Sequence, residues 1–375
     1  MIKREHRGSI GSLGFGLLGA GCILLLLFYA DSAVKAVLQG LSLCKSTVIP
    51  SLFPFMVASE LLVRSGGAAA VGNLLSRPMQ HLLGVPGAAA CPIVLGALCG
   101  FPTGARAAAA LYDEGALTRK QCTRLMTFIN NPSSAYTISA VGTSLLGSRR
   151  LGLVLWVVSL ACSLGTALLT RPLFGDDEQP TAAQSQPVRM GADVFTGSIS
   201  AAAQSMLTVC AYVLFFSAVL GAAQDALCVL SLPPFLNAVL YGVLELSGGV
   251  TRAAQLPDLT QSAMLCAALC SWSGLSVMCQ IMTACRGRGF DYKPYLLAKA
   301  AQALISAALT GLAVRYLLPH LPPENVHAGL LLPQATALLF AKAVNLTFAG
   351  ACAWTLVKNA TARMHRAPAF DIYCH

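Results

Sequence analysis

Gly96-Ala-Leu-Cys-Gly-Phe-Pro-Thr-Gly-Ala-Arg106 returns in outline 146 residues later as Gly242-Val-Leu-Glu-Leu-Ser-Gly-Gly-Val-Thr-Arg252, with Gly, Leu and Arg at matching places. Each stretch interrupts an apolar segment, 87–112 and 232–256, with Gly, Pro, Ser or Thr. Each runs on as Arg-Ala-Ala towards a Leu and an Asp: Leu111 and Asp113, then Leu256 and Asp258. From Gly87 to Cys99 a helix rises about 20 Å, short of a hydrocarbon layer about 30 Å thick. The arm after the break ends at Tyr112 and is again too short to cross alone. Both segments therefore read as re-entrant hairpins. The alternative is one kinked spanning helix.

The surrounding chain identifies the solvent. It has 375 residues, 56% hydrophobic and 11% charged, with a mean hydropathy of +0.67, whereas soluble domains carry about 25% charged residues. Long apolar stretches predict spanning helices near 11–30, 46–63, 125–146, 151–170, 203–223, 261–285, 295–318 and 332–357. The fold class expected is an all-α polytopic membrane protein, with about eight transmembrane helices plus two re-entrant hairpins in an inverted-repeat, transporter-like arrangement. The first stretch follows Lys3, Arg4 and Arg7 and could imitate a secretory signal peptide, but no clear A-x-A site follows it, which favours a retained helix.

Basic residues sort by side. Lys3, Arg4, Arg7, Arg119, Lys120, Arg124, Arg286 and Arg288 fall on one face, and only Lys35, Lys45, Arg149, Arg150 and Arg252 on the other. The richer face is expected to be cytoplasmic, with both termini inside. The net charge of +10 is thus a matter of topology, and no nucleic acid is expected as a partner. The organisation predicted is 1–45 for the N-terminal tail, first helix and connection; 46–171 for a first repeat; 172–200 for a polar cytoplasmic linker; 201–320 for a second, inverted repeat; 321–357 for the last helix; and 358–375 for a cytoplasmic tail.

Two spanning helices are broken by polar residues, Asn130-Asn-Pro-Ser-Ser134 and Ser271-Trp-Ser-Gly-Leu-Ser276. Pro132 donates no backbone hydrogen bond, and backbone freed in lipid is tolerated only inside protein or beside a cavity. A polar central pocket follows. Half-helix N-termini at its edge offer unpaired N–H groups to a solute, with Thr103 and Ser247 as candidate caps.

The expected solute-binding residues are Pro102, Thr103, Gly104, Asn130, Asn131, Ser133, Glu245, Ser247, Gly248, Gly249, Ser273 and Ser276. Several of these could instead only satisfy broken backbone. Glu245 stands alone among apolar neighbours, and an intramembrane carboxylate is costly enough to suggest a function. It could relay H⁺, help bind Na⁺, or sit neutral against backbone. Glu60 is the second ion-coupling candidate, although its place four residues before Arg64 suits a helical ion pair. Arg106 and Arg252 could meet substrate anions, or Asp113 and Asp258. The 14 cysteines form no C-x-x-C pair and the six histidines lie at segment ends or in tails, so no metal site or cofactor is expected. Asn345 and Asn359 match glycosylation acceptors but fall in a helix and on the inner face. The partners expected are the lipid bilayer, a small polar solute and a coupling ion, H⁺ or Na⁺.

Ser51-Leu-Phe-Pro-Phe-Met-Val-Ala-Ser-Glu-Leu-Leu62, Gly100-Phe-Pro-Thr-Gly-Ala105, the Asn130-Asn-Pro-Ser133 break and Leu244-Glu-Leu-Ser-Gly248 together resemble the YlbJ family of sporulation integral membrane proteins, which carry the nucleoside-recognition or Gate domain. The resemblance covers most of the chain. It implies a role in endospore formation, particularly the cortex stage, in a forespore-associated membrane, and a distant likeness to concentrative nucleoside transporters. Those transporters hold the nucleoside with Gln, Thr and Glu at the first hairpin tip, where this chain has Phe101, Pro102 and Thr103. A transporter-like protein for a small polar solute is therefore expected, against a non-transporting scaffold or assembly factor. An enzyme is not expected, since neither H-E-x-x-H nor G-x-S-x-G occurs.

Overall fold

The computed structural model describes residues 2–174, 191–227 and 232–318. The predicted span at 332–357, the tail at 358–375 and most of the polar linker lie outside the described residues, as do Asn345 and Asn359. The described residues are helical and contain no strand. Helix Lys293–Leu312 shows why this chain needs lipid. Its buried residues are Tyr295, Lys299, Gln302, Ser306 and Thr310, spaced along one face, whereas Leu297 and Leu304 are 72% and 76% exposed. A polar face turned inward and leucines turned outward suit hydrocarbon and would be costly in water.

Among the described residues, four helices are long and apolar enough to cross a membrane: Arg149–Leu169, Ala192–Asp225, Leu259–Ala284 and Lys293–Leu317. A fifth span is possible from a bent pair, Gly16–Phe28 and Ala30–Ser46, which turn 96° against each other. The protein is thus a multi-pass helical membrane protein. The bend ends the expected 11–30 helix at Tyr29, where the sequence has neither Gly nor Pro. Tertiary packing supplies the reason. Ala30–Leu43 lies so close to Ala192–Leu227 that a Cβ on Gly221 would stand 2.4 Å from that of Ala36, and one on Gly40 would stand 2.8 Å from the Ser217 hydroxyl. The Ser32 hydroxyl donates to Asp225 across the same seam. The chain then continues through a widened turn, Cys44–Val48, into Ile49–Arg64.

Both interrupted segments are hairpins. The first pairs Ala90–Leu98 with Thr103–Asp113, the second Pro234–Leu244 with Leu246–Ala253. A Cβ on Gly104 would lie 2.9 Å from the Gly96 Cα, and one on Gly249 would lie 2.1 Å from the Gly242 Cα. On one continuous helix these pairs would be about 12 and 10 Å apart, so the kinked-helix alternative fails. Glycine is required at the crossings because the two backbones touch there.

The two broken helices follow their hairpins. The first begins at Arg119, six residues before the expected start, because Thr118 and Gln121 form a reciprocal capping box. It runs to Ile129, unwinds over Asn130–Ser133, and resumes as Ala135–Leu145. The second comprises Leu259–Trp272 and Gly274–Ala284, joined at Ser273, whose φ of 77° is left-handed. The order helix, hairpin, broken helix, helix thus occurs twice. The halves share their cores. Val277, Met278, Ile281 and Cys285 pack into the cluster around the first hairpin, and Val141 and Leu155 into that around the second. Phe101, at the first tip, packs against both.

Candidate functional site between the hairpin tips

Unwinding a helix in a membrane frees backbone groups that need partners, and here the first tip supplies one to its break while the second packs closely against its own. The Phe101 N–H donates to the Asn131 carbonyl at 2.9 Å. Gly100 has a φ of +80° and approaches Ser133 so closely that a Cβ would stand 2.5 Å from its nitrogen, so no other residue fits. In the second half a Cβ on Gly274 would lie 3.0 Å from the Leu246 nitrogen, and Trp272 Nε1 donates to the Val243 carbonyl at 3.2 Å.

The return arms begin differently from the expectation. Glu245, and not Ser247, caps the second: its carboxylate accepts from the N–H of Ser247 at 2.9 Å and of Gly248 at 2.6 Å. At the first, Pro102 holds the N-cap position without a side-chain bond. The Thr103 hydroxyl is buried without a partner. Thus one helix start is capped by an acid, whereas at the other the Thr103 N–H turns back to the Gly100 carbonyl at 3.0 Å and no side chain caps it.

A cavity of about 80 Å³ lies between these parts. Phe101, Ser133 and Tyr136 line it from the first half, and Glu245, Leu246, Ser247, Ser276, Val277 and Gln280 from the second. Leu43, Val48, Leu52, Val209 and Val213 complete an apolar wall. Tyr136 of the first half and Ser247 of the second both face it. Of the expected binding residues, the fold brings Ser133, Glu245, Ser247 and Ser276 together on this surface.

The others take supporting places. Asn130 Nδ2 donates to the Met126 carbonyl at 3.0 Å, while its Oδ1 is buried without a partner. Asn131 Nδ2 donates to the Phe128 carbonyl at 3.0 Å and to Ser163 at 3.1 Å, so it ties the break to Arg149–Leu169. Gly104 and Gly249 form the hairpin crossings, and Gly248 donates to Glu245. The Ser273 hydroxyl is buried and unpartnered. Glu60 stands apart from the cavity, bound by Arg64 at 3.1 Å and Arg106 at 2.5 Å.

Arg106 therefore meets Glu60 and not Asp113. Arg252 stacks 3.5 Å above the Tyr241 ring and donates to Gln224 at 2.8 Å, while Asp258 caps the next helix through the Gln261 N–H at 2.6 Å. Asp113 is held by two bonds from Arg288, at 2.8 and 2.5 Å. Sequence reasoning missed Tyr136 and Gln280. A signal existed: each lies one turn beyond a break serine, Ser133 and Ser276, and so shares its face. Among the described residues no cluster of His, Cys, Asp or Glu could hold a metal ion.

Residues 46–149 match the Gate family, described as nucleoside recognition; they span the first hairpin and the first broken helix. Over 314 residues the chain is 24% identical to "Sporulation integral membrane protein YlbJ" of Bacillus subtilis (strain 168), a similarity that covers 74% of this chain and 77% of that protein. The resemblance anticipated from the sequence is borne out. No solved structure matches.

Proposed function

We propose that this chain, with a nucleoside-recognition region at its first hairpin and break, is a transporter-like membrane protein that handles a small polar solute during spore formation, at the cortex stage. The observation that carries the reading is the cavity, to which both hairpin tips and both helix breaks contribute a polar side chain or a wall. Polar, discontinuous backbone at membrane depth is costly, and its use to enclose a pocket marks transporter folds. The repeats 46–171 and 201–320 are assigned opposite orientations, within eight spans plus two re-entrant hairpins and with both termini cytoplasmic.

At about 80 Å³ the cavity is smaller than the roughly 300–1,000 Å³ of ordinary ligand pockets. A solute beyond a few atoms is admitted when a tip withdraws. Ser133, Ser247, Ser276 and Gln280 offer hydroxyl and amide contacts to it, and Glu245 couples its binding to H⁺ or Na⁺. Glu60, already engaged by two arginines, fits the paired role better than ion coupling.

The test is expression in a Bacillus subtilis strain lacking its YlbJ relative, together with flux assays on reconstituted protein. Wild type is expected to restore heat-resistant spores and to move a nucleoside or another small polar metabolite. Ser247→Ala combined with Ser276→Val is expected to lose both. Full restoration by that variant, with no flux of any solute tried, would favour a membrane scaffold instead.

A further inference from the structure

Lys299 is fully buried about two turns into a spanning helix. Its Cα lies about 9 Å of helix rise beyond the start at Lys293, near enough for a lysine stem to reach back towards water. It does not reach water. Nζ donates to Gln302 Oε1 at 2.9 Å, one turn further along the helix. Among the described residues this is its one hydrogen bond, whereas an ammonium has three N–H groups to satisfy.

Among the described residues, the helices packed against it offer no counter-charge. Arg119–Ile129, Arg149–Leu169 and Leu259–Trp272 hold no Asp or Glu, nor does Lys293–Leu312 itself. Their titratable groups are Cys122 and Arg124, Cys162, and Cys266 and Cys270, with Tyr295 on its own helix. Arg119, Lys120, Arg149 and Arg150 sit at helix starts. Arg124 is committed to the carbonyls of Leu83, Gly84 and Ala167, and Cys162 is a thiol on Arg149–Leu169. A buried lysine without a carboxylate is costly to keep charged and gives up its proton readily.

Gln302 gives this amine a connection. Its Nε2 donates to the Thr127 carbonyl at 3.0 Å and to the Thr166 hydroxyl at 2.8 Å. Thr127 is in the last turn before the Asn130 break, where the Asn130 Oδ1 acceptor is also unpartnered. From this juxtaposition we infer that Lys299 is a proton-binding site of the membrane interior, linked through Gln302 to the first helix break. The neutral amine takes a proton from water to give the ammonium, and the new N–H groups then compete for Gln302 and for the carbonyls of the break. Release reverses this. The link to solute movement rests on the cavity reading above; the proton site does not.

The test uses the full-length protein in lipid nanodiscs with its lysines labelled at Cε with carbon-13. The resonance missing from Lys299→Met is expected to shift with pH over a range in which the other lysines stay charged. Titration together with the others would overturn the inference. Lys299→Met removes the charge at similar volume and is expected to unfold at or above the wild-type temperature. Lys299→Arg, which cannot discharge, is expected to unfold below it, and the reverse order counts against the proposal. In flux assays a proton gradient is expected to accelerate wild type and to lose its effect in Lys299→Met. Persistence of that effect refutes the coupling, whereas a titrating Lys299 in a protein that moves no solute refutes the transport reading and leaves the proton site standing.

Discussion

Glu245 combines two duties in one side chain. It is 6% exposed, lines the cavity and closes the start of a helix through two N–H groups. Truncation leaves both donors buried and unpaired, at about 1–3 kcal/mol each. Glu245→Ala is therefore expected to lower the thermal unfolding midpoint well below that of Glu245→Gln, which keeps one acceptor; equal midpoints would show that the cap contributes nothing. Ser273 presents the opposite case. Its left-handed φ of 77° costs a non-glycine residue roughly 1 kcal/mol, and its buried hydroxyl has no partner. Ser273→Gly is expected to raise the midpoint or leave it unchanged, and to reduce solute flux if the hydroxyl meets the solute. A midpoint lowered by several degrees would assign the hydroxyl a structural bond.

At the scale of elements, two glycines differ in what surrounds them. A Cβ on Gly96 would stand 2.0 Å from the Ile129 carbonyl, whereas one on Gly165 would meet nothing within 4 Å. Gly96→Ala is expected to abolish the folded yield. Gly165→Ala, in an open helical position, is expected to stabilise by about 0.5–1 kcal/mol, read by denaturation in detergent. Arg124 tests a second kind of joint. Its guanidinium reaches the Leu83, Gly84 and Ala167 carbonyls at 2.5–3.1 Å, which a lysine cannot do from one nitrogen. Arg124→Lys is expected to cost about 1–3 kcal/mol; an unchanged midpoint would contradict this. Much of this level was legible in the sequence, because Gly, Pro, Ser and Asn clusters mark hairpin tips and breaks in apolar runs. The bend at Tyr29 was not, since it depends on the contact of Gly221 with Ala36, almost two hundred residues distant. Tyr136 and Gln280 were legible only as sharing a face with a break serine. Their helical faces are decided by which neighbour covers them.

The whole molecule is expected to place its two kinds of loop on opposite faces. Arg286 and Thr143 are both exposed, one in a basic loop and the other near the far end of the first broken helix. With a membrane-impermeant maleimide, Arg286→Cys is expected to label above background only in opened vesicles, and Thr143→Cys in intact cells. The opposite pattern would invert the topology, and labelling of both from one side would end the inverted-repeat reading. The glycine crossings bear on how such a body changes shape. Because each pair of arms touches backbone to backbone, neither arm can slide against the other. If the transport reading holds, a hairpin is expected to swing as a stiff lever about its roots, and for the first these carry the left-handed glycines Gly84 and Gly115. A small rotation there would be magnified at Phe101, so unlatching of the cavity is expected to depend on the connectors and not on melting the tip.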